Sequence, residues 1–206
     1  MQYGFYFDQT RCIGCNACTV SCKDWNQVNP GPVRWRSQQA YEINNGQSVF
    51  ENLTMSCNHC ENPACVAACG AGAISKTDKG IVIVDRTKCQ DMRSCITACP
   101  FSAPHLADND QEPVKRSEWV VEHPMQKCKY CYERVEDGFS PVCVAACPVR
   151  ALDYGDIEDL QRNYPDAVRL NEQDFPYAYR NPEGKRDTNP SFLIKKRKTI
   201  TVTKLV

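Results

Sequence analysis

Cysteine dominates the chemistry that this chain could perform. The 206 residues include 15 cysteines, close to the level that marks a scaffold defined by its cysteines. A disulfide joins only two sulfurs, so an odd number of thiols crowded into short runs indicates metal ligation instead. The cysteines form four groups: Cys12, Cys15, Cys18 and Cys22; Cys57, Cys60, Cys65 and Cys69; Cys89, Cys95 and Cys99; and Cys128, Cys131, Cys143 and Cys147.

The spacing within these groups is typical of ligands to cubane iron–sulfur clusters. The first group follows C-x2-C-x2-C-x3-C, and the third keeps that register as far as Pro100, with Met92 in place of the second cysteine. In this ligand run of two-cluster bacterial ferredoxins, three thiolates bind one cluster and the fourth binds another. The second and fourth groups insert a loop between the second and third ligands but still end in C-x3-C.

Zinc is the main alternative for such thiols. The pair Cys57-x2-Cys60 or the pair Cys128-x2-Cys131 could by itself begin a zinc ribbon. A zinc site takes two pairs of ligands, however, which does not explain three-plus-one runs that recur four times. Sites made only of soft thiolates in this register favour the cluster, so we predict four iron–sulfur clusters.

The four groups also form internal repeats. Residues 11–22 align with residues 88–99 at every cysteine but one, and residues 63–74 align with residues 141–152 at both cysteines. A ferredoxin unit needs one group of each type, and only residues 70–88 separate groups two and three. This short linker favours a unit of groups two and three nested inside a unit of groups one and four. Sequential pairing, one with two and three with four, remains open on sequence alone.

Nested pairing assigns the ligands as follows. Cluster 1 takes Cys12, Cys15, Cys18 and Cys147; cluster 2 takes Cys22, Cys128, Cys131 and Cys143; cluster 3 takes Cys57, Cys60, Cys65 and Cys99; and cluster 4 takes Cys69, Cys89 and Cys95, with Met92 at the vacant ligand position. A thioether is a weak, neutral ligand for iron. We therefore predict three [4Fe–4S] clusters and one [3Fe–4S] cluster at site 4. The alternative is a fourth [4Fe–4S] cluster whose last iron is held by water, Asp91 or Met92.

The predicted fold is α+β, with two bacterial ferredoxin-like units, one inserted in the other, and a loop-rich C-terminal tail. Alternating apolar residues predict a strand over residues 3–7, and a turn flanked by β-branched residues predicts a hairpin over residues 73–84. Short helices are expected at residues 63–69, 141–147 and 157–163, and a closing strand at residues 152–154. The predicted units are residues 1–52 plus 109–155, with clusters 1 and 2, and residues 53–108, with clusters 3 and 4. Residues 156–206 are predicted to form a partner-docking tail. In this tail we expect the basic run at 195–198 to be solvated and the end at 199–206 to be strand-like.

Composition argues against several functions. The 25 basic residues balance the 25 acidic ones, so no basic excess indicates nucleic acid or an anionic membrane surface. No apolar run is long enough for a transmembrane helix, and the N-terminus shows neither a secretion signal nor a twin arginine. We expect a soluble or peripheral protein, exported only with a partner that carries a twin-arginine signal. No catalytic triad, phosphate-binding loop or paired-carboxylate cleft is apparent, which predicts an electron carrier and not an enzyme.

The four groups together support a family resemblance. With Cys57-Asn-His-Cys60-Glu-Asn-Pro-Ala-Cys65 and Cys128-Lys-Tyr-Cys131-Tyr-Glu-Arg-Val, residues 1–155 resemble the iron–sulfur (beta) subunits of the dimethyl sulfoxide reductase family of molybdenum and tungsten enzymes. They are similar to the subunits of dimethyl sulfoxide, polysulfide, thiosulfate and tetrathionate reductases.

This resemblance implies nested pairing and two ferredoxin-like units. It also implies an electron relay, with cluster 1 facing a molybdopterin-containing catalytic subunit and cluster 4 facing a membrane anchor that handles quinol. In this family, respiratory nitrate reductases have tryptophan at the position of Met92 and hold three irons there, whereas dimethyl sulfoxide reductase has cysteine. A free-standing polyferredoxin that serves soluble partners is the alternative function.

Overall fold

The structure of the protein is a computed structural model that describes residues 1–44, 48–107 and 116–197, without the side chains of residues 43, 44, 48 and 49. The predicted unit boundary between residues 108 and 109 lies outside the described residues, as do Lys198 and the strand-like segment 199–206. Within the described ranges, no helix combines the length and the apolar character that crossing a bilayer requires.

Short strands and helices alternate along the chain. In chain order they are β1 (Tyr3–Asp8), α1 (Ala17–Trp25), β2 (Arg36–Asn44), β3 (Ser48–Ser56), α2 (Ala64–Ala67), β4 (Ile74–Lys76), β5 (Val82–Val84), α3 (Ser94–Ala98), α4 (Tyr132–Glu136), α5 (Val142–Ala145), β6 (Leu152–Asp156), α6 (Ile157–Asn163), β7 (Val168–Arg169), a 3-10 turn (Pro176–Ala178) and β8 (Phe192–Lys195).

A four-stranded sheet in the order β6-β1-β8-β7 forms the centre of the fold. Strand β1 pairs antiparallel with β6 and parallel with β8, so both of its edges are paired. Phe5 and Phe7 pack in the main core together with several of the cysteines. Tyr6 points to the other face, where it stacks on Tyr164 with ring centroids 3.7 Å apart and packs against Ile157 of α6. Burial on both faces explains why β1 is apolar almost throughout.

Several predicted elements are confirmed. Strands β4 and β5 form the antiparallel hairpin between groups two and three, with Ile74 opposite Val84. Helices α2 and α5 begin directly after Pro63 and Pro141. Helix α6 has the predicted bounds, and the side chain of Asp156 caps it by accepting a hydrogen bond from the Glu158 amide at 3.0 Å.

The segment at residues 28–52 contains an element that the sequence did not predict. Strands β2 and β3 form a long antiparallel hairpin from Arg36 opposite Ser56 to Asn44 opposite Ser48. Many inward positions of this hairpin are polar, since Arg36, Thr54 and Ser56 are all buried, and the usual apolar alternation of a strand is therefore missing. The predicted boundary between residues 52 and 53 falls inside β3, so a boundary after Ser56 keeps the hairpin whole.

The described part of the predicted tail differs from the expected loop-rich segment. Strand β8 lies inside the central sheet, and Phe192, Leu193 and Ile194 are at most 2% exposed. The segment before it is rich in Pro and Asn but is also anchored, with Phe175 fully buried. The basic run is partly paired, because Lys196 Nζ donates to an oxygen of Asp174 at 3.0 Å. The apolar run of this four-residue strand is too short to be recognised as a strand from the sequence alone.

Candidate metal centres

Three cavities in the described part of the chain are lined by cysteines that lie far apart in the sequence. The thiols border each cavity and do not converge on one ion: no group of three or more His, Cys, Asp or Glu side chains among the described residues could hold a single metal ion. The first cavity is lined by Cys12, Cys15, Cys18 and Cys147, the second by Cys57, Cys60, Cys65 and Cys99, and the third by Cys69, Cys89 and Cys95 together with Asp91 and Met92.

The four remaining cysteines lie close to one another in the interior. Cys22, Cys128, Cys131 and Cys143 are all buried. Burial raises the pKa of the Cys22 thiol well above its ordinary value, and the neighbouring thiols of Cys128, Cys143 and Cys131 raise it further. The structure thus brings each of these 15 cysteines next to thiols from another group of the sequence.

The residue before the second ligand position has a left-handed φ in all four groups. The residues there have positive φ: 71° at Gly14, 43° at His59, 51° at Asp91 and 64° at Tyr130. Outside glycine this left-handed conformation is uncommon, and it persists where the surrounding structure enforces it. Such turns direct successive N–H groups into a concavity that favours negative charge. The third group therefore keeps the ligand-loop backbone although Met92 replaces its second cysteine.

The first and third groups match further along the chain. Asn16 precedes α1 with φ of 62°, and Arg93 precedes α3 with φ of 59°. Helix α1 carries Cys18 and Cys22, whereas α3 carries Cys95 and ends directly before Cys99. The repeat seen in the sequence is therefore also a repeat of backbone geometry.

Backbone amides donate directly to several of the sulfurs. Hydrogen bonds of this kind stabilise negative charge on a thiolate ligand and help set the potential of an iron–sulfur cluster. The observed N···S distances are 3.3 Å from Tyr130 to Cys128, 3.2 Å from Ala151 to Cys147 and 3.4 Å from Met125 to Cys89.

The interior environment favours the protonated form of the thiols. Burial, reinforced by neighbouring thiols, raises the pKa of Cys65 and of Cys128 to about 12. Burial likewise raises the pKa of Cys95 and of Cys99 to about 11. Since sulfur ligates metal as thiolate, metal loading at these positions must release protons.

The second cavity offers an independent test of whether an iron–sulfur cluster fits. Asn58 lines this cavity, and its side-chain Nδ2 is buried without a hydrogen-bond partner among the described residues. Buried donors are almost always satisfied in proteins. A cluster bound by Cys57 and Cys60 would place acceptor sulfides beside this donor. The residues present therefore fit such a group.

Two buried cations lie among the thiols. The Arg36 side chain is almost fully buried, and it donates to Ser56 Oγ at 2.9 Å and to Thr54 Oγ1 at 3.4 Å. The Lys127 ammonium is equally buried and donates to the backbone carbonyls of Val82 and Cys128. Sequence reasoning missed Arg36 because it lies 14 positions after Cys22, beyond the reach of any spacing motif.

Tyr130 fixes the loop of the fourth group to the central sheet. Its ring is fully buried, its hydroxyl donates to the Gly4 carbonyl, and it accepts from the Gly155 amide at 3.1 Å. The neighbouring His59 accepts a hydrogen bond from the Val82 amide at 3.0 Å through Nδ1. Burial and the charges of Lys127 and Arg36 lower the pKa of His59 well below its ordinary value, so its ring is neutral and acts in packing.

The sets of thiols neighbour one another in a fixed order. The Cys18 thiol contributes to a raised pKa of Cys143, which links the first cavity to the interior set. Cys57 does the same for Cys128, linking the interior set to the second cavity. Cys95 does so for Cys65, linking the second cavity to the third. In each case burial is the largest cause of the shift, and the thiol contribution shows which sets are adjacent.

Comparison with known proteins gives consistent matches. The profile of a 4Fe-4S dicluster domain family matches residues 49–157, and that of another family with the same description matches residues 11–73. One of the chains of the anaerobic dimethyl sulfoxide reductase of Escherichia coli is 40% identical to this protein over 178 residues, which cover 82% of this protein and 80% of that relative.

Two further relatives come from other reductases. The thiosulfate reductase electron transfer subunit of Salmonella typhi is 38% identical over 163 residues, which cover 78% of this chain and 79% of that protein. A tetrathionate reductase subunit of Salmonella typhimurium is 35% identical over 160 residues, which cover 77% of this chain and 59% of that protein. The chain therefore belongs to the family of 4Fe-4S dicluster proteins that includes the iron–sulfur subunits of anaerobic dimethyl sulfoxide reductases.

Proposed function

We propose that this chain is the electron-transfer subunit of a reductase complex and relays electrons through four iron–sulfur clusters. Its partners are a molybdopterin catalytic subunit, containing Mo or W, and a membrane quinone anchor or a soluble electron partner. The observation that carries the proposal is that thiols from separate groups of the sequence line three cavities, with a fourth set of buried thiols beside them. When bound, each cluster supplies one-electron transfer, and the chain fixes the positions of the clusters.

The proposed ligands are those of the nested pairing. The lining of the three cavities and the proximity of Cys22 to Cys128, Cys131 and Cys143 support this assignment. One unit then consists of the N-terminal segment and the segment that ends in β6, and the other is inserted between them. Because β8 pairs with β1, the residues after β6 complete the sheet of the first unit. The surface around these residues is the proposed docking surface for the partner.

At site 4 we propose a [3Fe–4S] cluster beside three [4Fe–4S] clusters. Met92 lines the third cavity together with the three thiols, and its side chain is 58% exposed. A neutral thioether so open to water is a poor competitor for a corner iron. The shared loop conformation at Asp91 supports cluster binding by this group in spite of the missing thiolate.

We propose that the chain carries electrons without catalysing a reaction on a substrate. The free-standing polyferredoxin is disfavoured by the similarity to subunits of reductases. Location would then follow the partner.

Co-purification tests this function. The full chain, affinity-tagged in its native host and isolated without oxygen, should retain a large partner that contains molybdopterin, and reducing the chain should reduce that partner. A monomer that keeps all its clusters and binds no pterin-containing protein would instead favour the free-standing carrier. Material without iron or acid-labile sulfide would refute both functions.

A further inference from the structure

Arg36 is a buried cation without a carboxylate counter-ion among the described residues. Its side chain is 1% exposed, and its guanidinium carbon lies 4.7 Å from the centre of the Phe5 ring. A charge at such depth is costly unless negative groups lie close to it. Burial by itself would lower the pKa of Arg36, yet the thiols of Cys143, Cys18, Cys128 and Cys22 raise it above its ordinary value.

Those thiols belong to two different sets. On one side, Arg36 donates to Thr54 Oγ1, which lies 3.4 Å from the Cys18 sulfur of proposed cluster 1. On the other side, burial raises the pKa of the Cys143 thiol of proposed cluster 2, and the nearby charge of Arg36 counteracts that rise. The hydrogen bond to Ser56 at 2.9 Å fixes the guanidinium between the two sets. The same side chain thus acts on thiols of two sets, through the Thr54 hydroxyl at Cys18 and through its charge at Cys143.

We propose that Arg36 is a positioning residue whose fixed positive charge raises the reduction potentials of both cluster 1 and cluster 2. This inference rests on the proposed function, because it requires clusters in these two thiol sets. A cluster held by four thiolates is anionic and gains a further negative charge when it accepts one electron. Attraction to a cation is stronger for the reduced form, and the effect is large in an interior that water does not screen. A cation shared by both sites shifts both potentials in the same direction, so it changes the difference between them less than a cation at one site alone would.

The test is a potentiometric titration, followed by electron paramagnetic resonance, of the anaerobically purified complex. Arg36→Gln removes the charge but keeps a hydrogen-bonding side chain. We expect the equilibrium constant for reduction to fall at least tenfold at clusters 1 and 2, which corresponds to about 59 mV for a one-electron couple. Arg36→Lys keeps the charge and should recover most of this loss. The matched control is Arg93→Gln, which removes an exposed cation beside Cys95 and should leave clusters 1 and 2 unchanged.

Unchanged or higher potentials at clusters 1 and 2 in Arg36→Gln, with iron and sulfide content intact, would overturn the inference and leave the proposed function in place. If Arg36→Gln does not retain its clusters, Thr54→Val provides the test, because it removes only the hydroxyl between Arg36 and Cys18. The potential of cluster 1 should then fall while that of cluster 2 stays the same, and an unchanged cluster 1 would contradict us. A wild-type complex without any cluster signal would refute the proposed function itself.

Discussion

Replacing Met92 by cysteine should convert site 4 into an ordinary four-thiolate site. Met92 lines the cavity of Cys69, Cys89 and Cys95, and the φ of 51° at Asp91 keeps the loop in the conformation found before Cys15. A thiol at this position therefore needs no backbone rearrangement to reach the cavity. The variant supplies the one ligand that the repeat lacks.

The expected size of the change follows from the structure. Met92 is 58% exposed, so trimming its side chain removes little packing, and the free energy of unfolding should change by no more than about 0.5 kcal/mol. The iron content should rise from about 15 to about 16 per chain as the three-iron site becomes a four-iron site. The added thiolate charge should lower the reduction potential of site 4.

Electron paramagnetic resonance of the oxidised protein is the assay. An oxidised three-iron cluster is paramagnetic whereas oxidised four-iron clusters are silent, so the wild-type signal should integrate to about one spin per chain and disappear in Met92→Cys. Met92→Ala serves as the control, because it leaves three thiolates and should retain the signal. Absence of an oxidised signal in the wild type, or an undiminished signal in Met92→Cys, would refute the reasoning.

Three other variants test the ligand pairing, the anchoring of the fourth group and the pH dependence. Cys147→Ser should abolish cluster 1 and leave the oxidised signal of site 4 intact, because nested pairing places Cys147 with the first group. Tyr130→Phe should lower the free energy of unfolding by about 1–3 kcal/mol, since the buried Gly4 carbonyl and Gly155 amide lose their shared partner; thermal unfolding of the loaded protein measures this. Glu51→Gln should raise the unfolding temperature at pH 7. Burial raises the pKa of the Glu51 carboxyl in the folded chain, so the folded state loses stability as the pH rises through that pKa and the carboxyl ionises. The neutral glutamine side chain avoids this loss.

Each of these variants has an outcome that counts against it. Loss of the site 4 signal in Cys147→Ser would instead support sequential pairing. Tyr132→Phe is the control for Tyr130→Phe, because Tyr132 is partly exposed, and equal effects of the two changes would dismiss the anchoring role. The advantage of Glu51→Gln should vanish below about pH 4, where the carboxyl is protonated in both states, and a gain that persists there would have another cause. Glu42→Gln on β2 supplies the matched carboxyl control.

Local signals explain what the sequence could predict. Cysteines separated by two or three residues restrict the ligand loop to a short stretch of chain. The spacing therefore predicts tight loops, and the structure shows them with positive φ at Gly14 and Asp91. Strand β1, the hairpin of β4 and β5, and α6 likewise carry their apolar pattern or turn signal in a few adjacent residues. The preference for nested pairing, which stays a prediction, came from linker length, a second property that can be read directly along the chain.

Long-range packing explains the rest. Arg36 gains its position only when β2 pairs with β3 and brings Thr54 and Ser56 to it, and no neighbour in sequence marks it. Strand β8 becomes recognisable only through its parallel pairing with β1, since three apolar residues after a Pro- and Asn-rich stretch are too few to indicate a strand. Polar residues that face the metal sites also interrupt the alternation of apolar and polar residues in β2 and β3, and strand prediction relies on that alternation.

Metal and sulfide analysis of the anaerobically purified full-length protein, in complex with its partner, tests the central claim most directly. We expect about 15 iron atoms and about 16 acid-labile sulfides per chain after correction for the partner's own content, with no stoichiometric zinc. Zinc in these thiol sets without acid-labile sulfide would contradict the claim that the 15 cysteines hold a row of electron-carrying clusters.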